Sequence, residues 1–336
     1  MSRRWCPALW TISIPRAMTD LLIYLLENLV AAVILVALAS LLAALFYPLF
    51  RRASPAVGAE GRALLIWLYG LSPALVATVS VLLLQLPAVT GGLIPGHCHG
   101  STCGAHTPQF GLASPAGTSL MLLSLTLVAV GLGLIQRNQQ RARRRLYAMQ
   151  LLSKSEPGRF WRLVDSDEAG AWCAGYLRPQ IFVTRGLMAA LAPEQVQAVL
   201  LHEWAHLQRR DNLRTLLLQW ASALWPASVK RMLWQDLQLA TEQACDLAAA
   251  RQAGTGAQLI AAVERLAASR PCTPPAGETG HHTQSAAIAQ RVRQLQFLAP
   301  PTAFATESWL MISALGAGQI IALPVVAHIA IEWLTL

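Results

Sequence analysis

Four apolar runs decide what this chain can fold into. They cover roughly Leu21–Phe50, Ala63–Val89, Ser119–Ile135 and Trp309–Trp333. Each is close to or above the roughly 20 residues that a helix needs to cross a bilayer. Trp67, Tyr69, Trp309 and Trp333 lie near the span ends, where amphipathic rings act as interfacial anchors. Composition agrees: 54% of the 336 residues are hydrophobic and 13% are charged, against about 25% charged in a soluble domain. Most of the charge falls between the third and fourth runs, as expected of an aqueous domain flanked by spans.

Arginine placement gives an orientation. Arg51, Arg52 and Arg62 follow the first run, and Arg137, Arg141, Arg143, Arg144 and Arg145 follow the third. The 90–118 loop has neither lysine nor arginine. Positive charge marks the cytoplasmic side, so 51–62 and 137–306 are expected inside, with 90–118 and the C-terminus outside. Arg3, Arg4 and Arg16 then fall outside, against the rule. Met18 directly precedes the first run, so Met1 and Met18 are both candidate starts. Pro7 and Pro15 break the apolar stretch of the tail, which does not read as a cleavable signal. A net charge of +9 would suit nucleic acid, but the arginines cluster at span ends and no nucleic-acid motif accompanies them. Membrane lipid, and no direct nucleic acid, is the expected partner. A shorter run at Leu216–Val229, interrupted by Pro226, is expected as a helix packed near the bilayer surface.

The chain thus divides into an N-terminal membrane domain (1–136), a cytoplasmic domain (137–306) and a C-terminal transmembrane helix (307–336). In the middle part, Phe160–Asp165, Ala171–Tyr176 and Gln180–Thr184 read as strands. Pro193 opens a helix whose apolar stripe uses Val196, Val199, Leu200 and Trp204. Further helices are expected over Val229–Ala253, Gln258–Ser269 and Gln284–Phe297, with a flexible loop over 270–284.

The helix opened by Pro193 carries LLHEWAHLQRRDNL, residues 200–213. His202 and His206 are four apart and project from one helical face, where two imidazoles can share one Zn²⁺. Glu203 is placed to take a proton from a water activated by that ion. On an otherwise apolar helix, these three groups without a metal would be costly to bury. A third ligand is required, and Glu242, Asp246, Asp211, His281 and His282 are the candidates. Glu242 in TEQACDLAAA is the best of them, with Asp246 one turn on to hold a ligating imidazole by its other nitrogen. Asp211 is expected to be structural, capping the helix or pairing with Arg209 or Arg210. Tyr176, His281, His282 and Arg291 are the candidates for stabilising an oxyanion.

HEWAHLQRRDNL, EQACD and the upstream GYLRPQIFVTRGLM together resemble the integral-membrane zinc metallopeptidases of the β-lactam-receptor (BlaR/MecR) type. More distantly the chain is similar to the HtpX and CAAX-prenyl membrane proteases. The resemblance implies a mainly α membrane protein of about four transmembrane helices. An α+β zincin-like (gluzincin) cytoplasmic domain would sit between the third and fourth. It implies Zn²⁺ on His202, His206 and Glu242, with Glu203 as base and Asp246 behind the ligands. It also implies that Ala171–Tyr176 is an edge strand to which a substrate peptide adds antiparallel. The C-terminal penicillin-binding sensor of the β-lactam receptors is not expected here, so the resemblance does not imply β-lactam sensing.

The expectation is a zinc endopeptidase in the inner (plasma) membrane of a bacterial cell, cutting a protein substrate such as a transcriptional repressor. A quality-control protease for membrane proteins and a non-enzymatic metal-sensing membrane protein are the rival readings. Nothing in the sequence excludes an oligomer. The outward loop adds His97, Cys98, His99, Cys103 and His106 within ten residues. These suit a Cys98–Cys103 disulfide, a site for a soft metal, or neither.

Overall fold

The computed structural model describes residues 16–53, 58–86, 97–99, 102–104, 114–155, 157–253, 256–268 and 281–296, with scattered residues between 310 and 329. The protein is mostly helical, with one four-stranded sheet and one hairpin. Among the described residues, three helices are long and apolar enough to cross a membrane: α1 (Arg16–Ala53), α2 (Ala59–Leu84) and α3 (Pro115–Leu152). The expected fourth span falls largely outside the described residues. Those described there are helical, and Leu323 packs with Val30, Leu35 and Ala39 of α1 and Val76 of α2.

α3 departs from expectation in running on unbroken for 38 residues, through the basic segment and into the sheet. The reason is local: arginine, glutamine, alanine and leucine are all good helix formers, so the change from apolar to charged composition does not end the helix. Ser114 caps its start, accepting from Gly117 N–H at 3.0 Å.

Between α2 and α3, β1 (His97–His99) and β2 (Thr102–Gly104) form an antiparallel pair with Cys98 opposite Cys103. After α3 come β3 (Ser153–Ser155), β4 (Trp161–Val164), β5 (Ala171–Ala174) and β6 (Gln180–Thr184). The sheet order is β3-β4-β6-β5, with β4 and β6 parallel and the outer pairs antiparallel. β5 is therefore an edge. It ends two residues short of the expected Tyr176, because Gly175 takes φ +105° and turns the chain back toward β6. A Cβ there would also stand 2.9 Å from the Arg178 carbonyl oxygen.

The helices that follow are α4 (Arg185–Ala190), α5 (Pro193–Arg209), α6 (Asp211–Ala221), α7 (Ala227–Ala253), α8 (Gly256–Ala268) and α9 (His281–Gln296). Two sequence expectations are corrected. The segment 216–229 is not one helix: it is the end of α6, a turn, and the start of α7. The end of the expected 270–284 loop is already helical in α9, while 269–280 lie outside the described residues.

α6 and α7 dock on the end of α1 and the first half of α2. Leu218, Trp225, Leu233, Leu237 and Ala240 share one buried cluster with Tyr47, Phe50, Ile66 and Tyr69. Phe50 stacks on Tyr69 at 4.2 Å between centroids, and Tyr69 donates to the Ala43 carbonyl at 2.7 Å. Asp236 of α7 is buried and held by Tyr47 (2.9 Å) and Arg51 (2.7 Å) of α1. A second polar tie joins the far ends of the two helices, where the Tyr24 hydroxyl donates to Gln85, whose amide donates to Asn28 at 2.5 Å.

The close approach of α2 to α6 and α7 depends on Gly70. A Cβ there would stand 2.3 Å from Leu218 Cδ1 and 3.2 Å from Leu233 Cδ2. Because Leu218 is fully buried, it has no free space to retreat into. Gly70→Val is expected to destabilise the detergent-solubilised protein by about 1–3 kcal/mol through overpacking, and adding Leu218→Ala should recover part of the loss. Thermal unfolding of the single and double variants checks this; equal melting temperatures for Gly70→Val and wild type would refute it.

Candidate metal centre

The centre is built on α5. Pro193 occupies its first turn, and Gln195 reaches back to accept the Ala192 N–H at 3.1 Å. His202 is buried, and its ring meets that of His206 edge to face at 4.8 Å. Their Nε2 atoms lie 3.1 Å apart. Glu242 arrives from α7, with Oε2 at 3.5 Å from His202 Nε2 and Oε1 at 3.5 Å from His206 Nε2. A tetrahedral ion with bonds of about 2.0–2.1 Å has ligand-to-ligand edges of roughly 3.3 Å. The three donors therefore stand at the separations one such ion requires, and the donor set fits. Glu203 follows the first ligand and lies near β5, close enough for its charge to act on the Cys173 thiol. Burial first, then Glu203 and Asp211, push that thiol up to about 12.

Each imidazole is held from behind by an acid. His202 Nδ1 lies 2.9 Å from Asp246 Oδ1, an ion-pair contact off the straight line of a hydrogen bond. His206 Nδ1 lies 3.0 Å from Asp211 Oδ2. Burial by itself lowers the pKa of His202, but Asp246 and Glu242 outweigh it and raise the group to about 10. Burial would raise both carboxylic acids. His202 and Arg291 instead bring Glu242 to about 2, and Arg291 and His202 bring Asp246 to about 2.

Sequence reasoning did not see the part played by Arg291 of α9. Its guanidinium grips Asp246 through two bonds of 2.7 and 2.8 Å and reaches Glu242 at 3.0 Å. Its described polar contacts go to these two acids. The side chains of His281 and His282 lie outside what the structure describes, and Tyr176 is half-buried at the end of the β5 edge. Asp211 does pair with Arg209, at 3.3 Å, but it also orients a metal-facing histidine. The signal for that was its position just past the helix end, where a reversal of the chain can return a side chain to the last turn. Cys245 completes this second group, with Sγ 3.4 Å from His206 Nδ1 and 3.5 Å from Asp211 Oδ2. Burial and Asp211 push its thiol far up. This group gathers on the Nδ1 side of His206, behind the Nε2 that faces Glu242.

The reversal itself is made by Arg210, which adopts the left-handed conformation at φ 53°, ψ 43° between α5 and α6. It sends Asp211 to His206 and Asn212 to the sheet, where Asn212 Nδ2 donates to the carbonyls of Cys173 (3.0 Å) and Gly175 (3.2 Å). Of the outward-loop group, Cys98 and Cys103 are register partners. His106 and the side chains of the hairpin lie outside the described residues.

Two histidines one turn apart, a carboxylate from the next long helix and a free acid beside them make the donor set of a metal-dependent hydrolase. The sequence profile described as Peptidase family M48 matches residues 135–306, just over half of the chain. The chain belongs to this metallopeptidase family. No solved structure matches it.

Asp246→Asn should weaken metal binding about 10–100-fold, the usual cost of losing a group behind a metal ligand. Competition with a chromophoric chelator measures it, and unchanged affinity would remove Asp246 from that role. Arg210→Gly should be neutral or slightly stabilising, because glycine relieves the roughly 1–2 kcal/mol strain of a left-handed residue. Its melting temperature is the check.

Proposed function

We propose that the protein is a membrane-embedded zinc endopeptidase that cuts an extended segment of a cytoplasmic or membrane protein. One observation carries this reading. His202, His206 and Glu242 converge at tetrahedral separations beside Glu203, and the sheet edge formed by β5 lies alongside.

When bound, zinc would supply the Lewis acid that polarises a scissile carbonyl and acidifies a water. The protein's own groups do the rest. Asp246 and Asp211 hold the two imidazoles so that each turns its Nε2 toward the shared centre. Arg291 keeps Glu242 and Asp246 ionised and in place. Glu203, which has no role in that scaffold, takes the proton of the attacking water and passes it to the leaving amine. Backbone groups of β5 hold the substrate extended by strand addition.

Arginines at the ends of the first and third apolar runs support a cytoplasmic domain in an inner membrane. Resemblance to the β-lactam-receptor type supports a transcriptional repressor as substrate, with the outward loop as the receiving side. A purely structural metal site would have no use for the base at Glu203, which disfavours a non-enzymatic reading.

Glu203→Gln should lower kcat about 10²–10⁴-fold, the usual contribution of a positioned base, with zinc content by elemental analysis unchanged. Full activity in that variant would overturn the mechanism. Comparative proteomics of cells carrying wild type or Glu203→Gln then separates the substrates: a single accumulating regulator supports signalling, and a broad set of damaged membrane proteins supports quality control.

A further inference from the structure

Part of the sheet edge beside the metal centre is already occupied by the protein itself. Thr184 N–H donates to the Gly170 carbonyl at 3.0 Å, and Trp172 and Ala174 pair with Phe182 and Gln180. Backbone groups alternate sides along a strand, so Gly170, Trp172 and Ala174 turn theirs toward β6. Ala171, Cys173 and Gly175 turn theirs away, to the free edge. Two of those outward carbonyls are taken: Asn212 Nδ2 donates to both Cys173 (3.0 Å) and Gly175 (3.2 Å). Paired strands lie about 4.7–4.9 Å apart. An amide nitrogen about 3 Å from both oxygens therefore stands in the lane that an added strand would fill. Ala171 N–H, Ala171 C=O and Cys173 N–H make no hydrogen bond among the described residues.

We infer that Asn212 determines specificity by closing the substrate lane at Cys173, so that an extended segment pairs with the protein only through Ala171 and the Cys173 N–H. The inference rests on the peptidase reading above. For a segment antiparallel to β5, the closed end meets its amino-terminal side. The preferred substrate is extended on the carboxyl-terminal side and bends away, or begins, on the amino-terminal side, where glycine, proline or a chain end suits. A short ladder also fixes register. With one residue seated opposite Ala171, one peptide bond is presented to the centre. Asn212 is adjacent to Asp211, which orients His206, so the stop in the lane and the metal-facing imidazole share one rigid turn.

The test uses full-length, zinc-loaded protein in detergent and β-casein as an unstructured probe. In the Glu203→Gln background, hydrogen exchange read by mass spectrometry should show casein protecting Ala171–Cys173 and leaving Gly175 and Tyr176 unprotected. With N212A added, protection should extend by two residues to Gly175. In the active background, N212A should cut casein at more bonds than wild type, with KM lowered and zinc content unchanged. Where N212A does not fold, N212S makes the same comparison, because its shorter hydroxyl cannot bridge both carbonyls. An unmoved protection boundary in the variant overturns the inference, as does the absence of any casein protection on β5. A wild type that holds zinc and protects β5 yet cuts nothing defeats the peptidase reading alone, because the exchange boundary still reports on Asn212.

Discussion

Buried acids have to be neutralised, and in this protein that requirement ties the structure together. The chain has only 17 acidic residues, and among the described ones Asp211, Asp236 and Asp246 are buried. An unpaired carboxylate in such surroundings costs several kcal/mol. Each of the three therefore binds groups from another element. Asp236 takes Tyr47 and Arg51 from α1. Asp246 takes His202 from α5 and Arg291 from α9. Asp211 takes His206 and Arg209 from α5. Hydrophobic burial assembles the helices, but it is indifferent to small rotations. The charge contacts are not, and they set where each helix face points.

Two of these contacts lie on one helix. On α7, Asp236 and Glu242 are six residues apart, about 9 Å along the axis. The tie to the apolar helices and the carboxylate that meets both imidazoles are thus parts of the same short rod. Gly70 allows α2 to approach this rod and α6 closely enough to share the cluster around Tyr69.

What the sequence made legible was what repeats at short range. HEWAH shows itself through four-residue spacing, EQACD through the same rule, and the apolar runs through their length. Asp211 was legible as a partner for Arg209, but its contact with His206 and those of Asn212 with β5 were not, because they depend on how the chain reverses after α5. Arg291 was legible as a cation near the site, but its grip on two acids required α9 to place it. β3 escaped notice because Ser-Lys-Ser is polar and short; it is a strand only because β4 offers it a ladder. The continuity of α3 was missed because a change of composition was read as a change of structure.

The turn at Arg210 shows why the missed features matter more than their size suggests. A left-handed arginine is unfavourable by roughly 1–2 kcal/mol, and a simple helix end could use glycine instead. Here the turn is over-determined. Asp211 is drawn to His206 and Arg209 on one side, and Asn212 is drawn to two carbonyls of the sheet on the other. Either set alone would leave the next residue free to rotate. Together they make the orientation of the His206 imidazole and the order of the β5 edge a single structural condition.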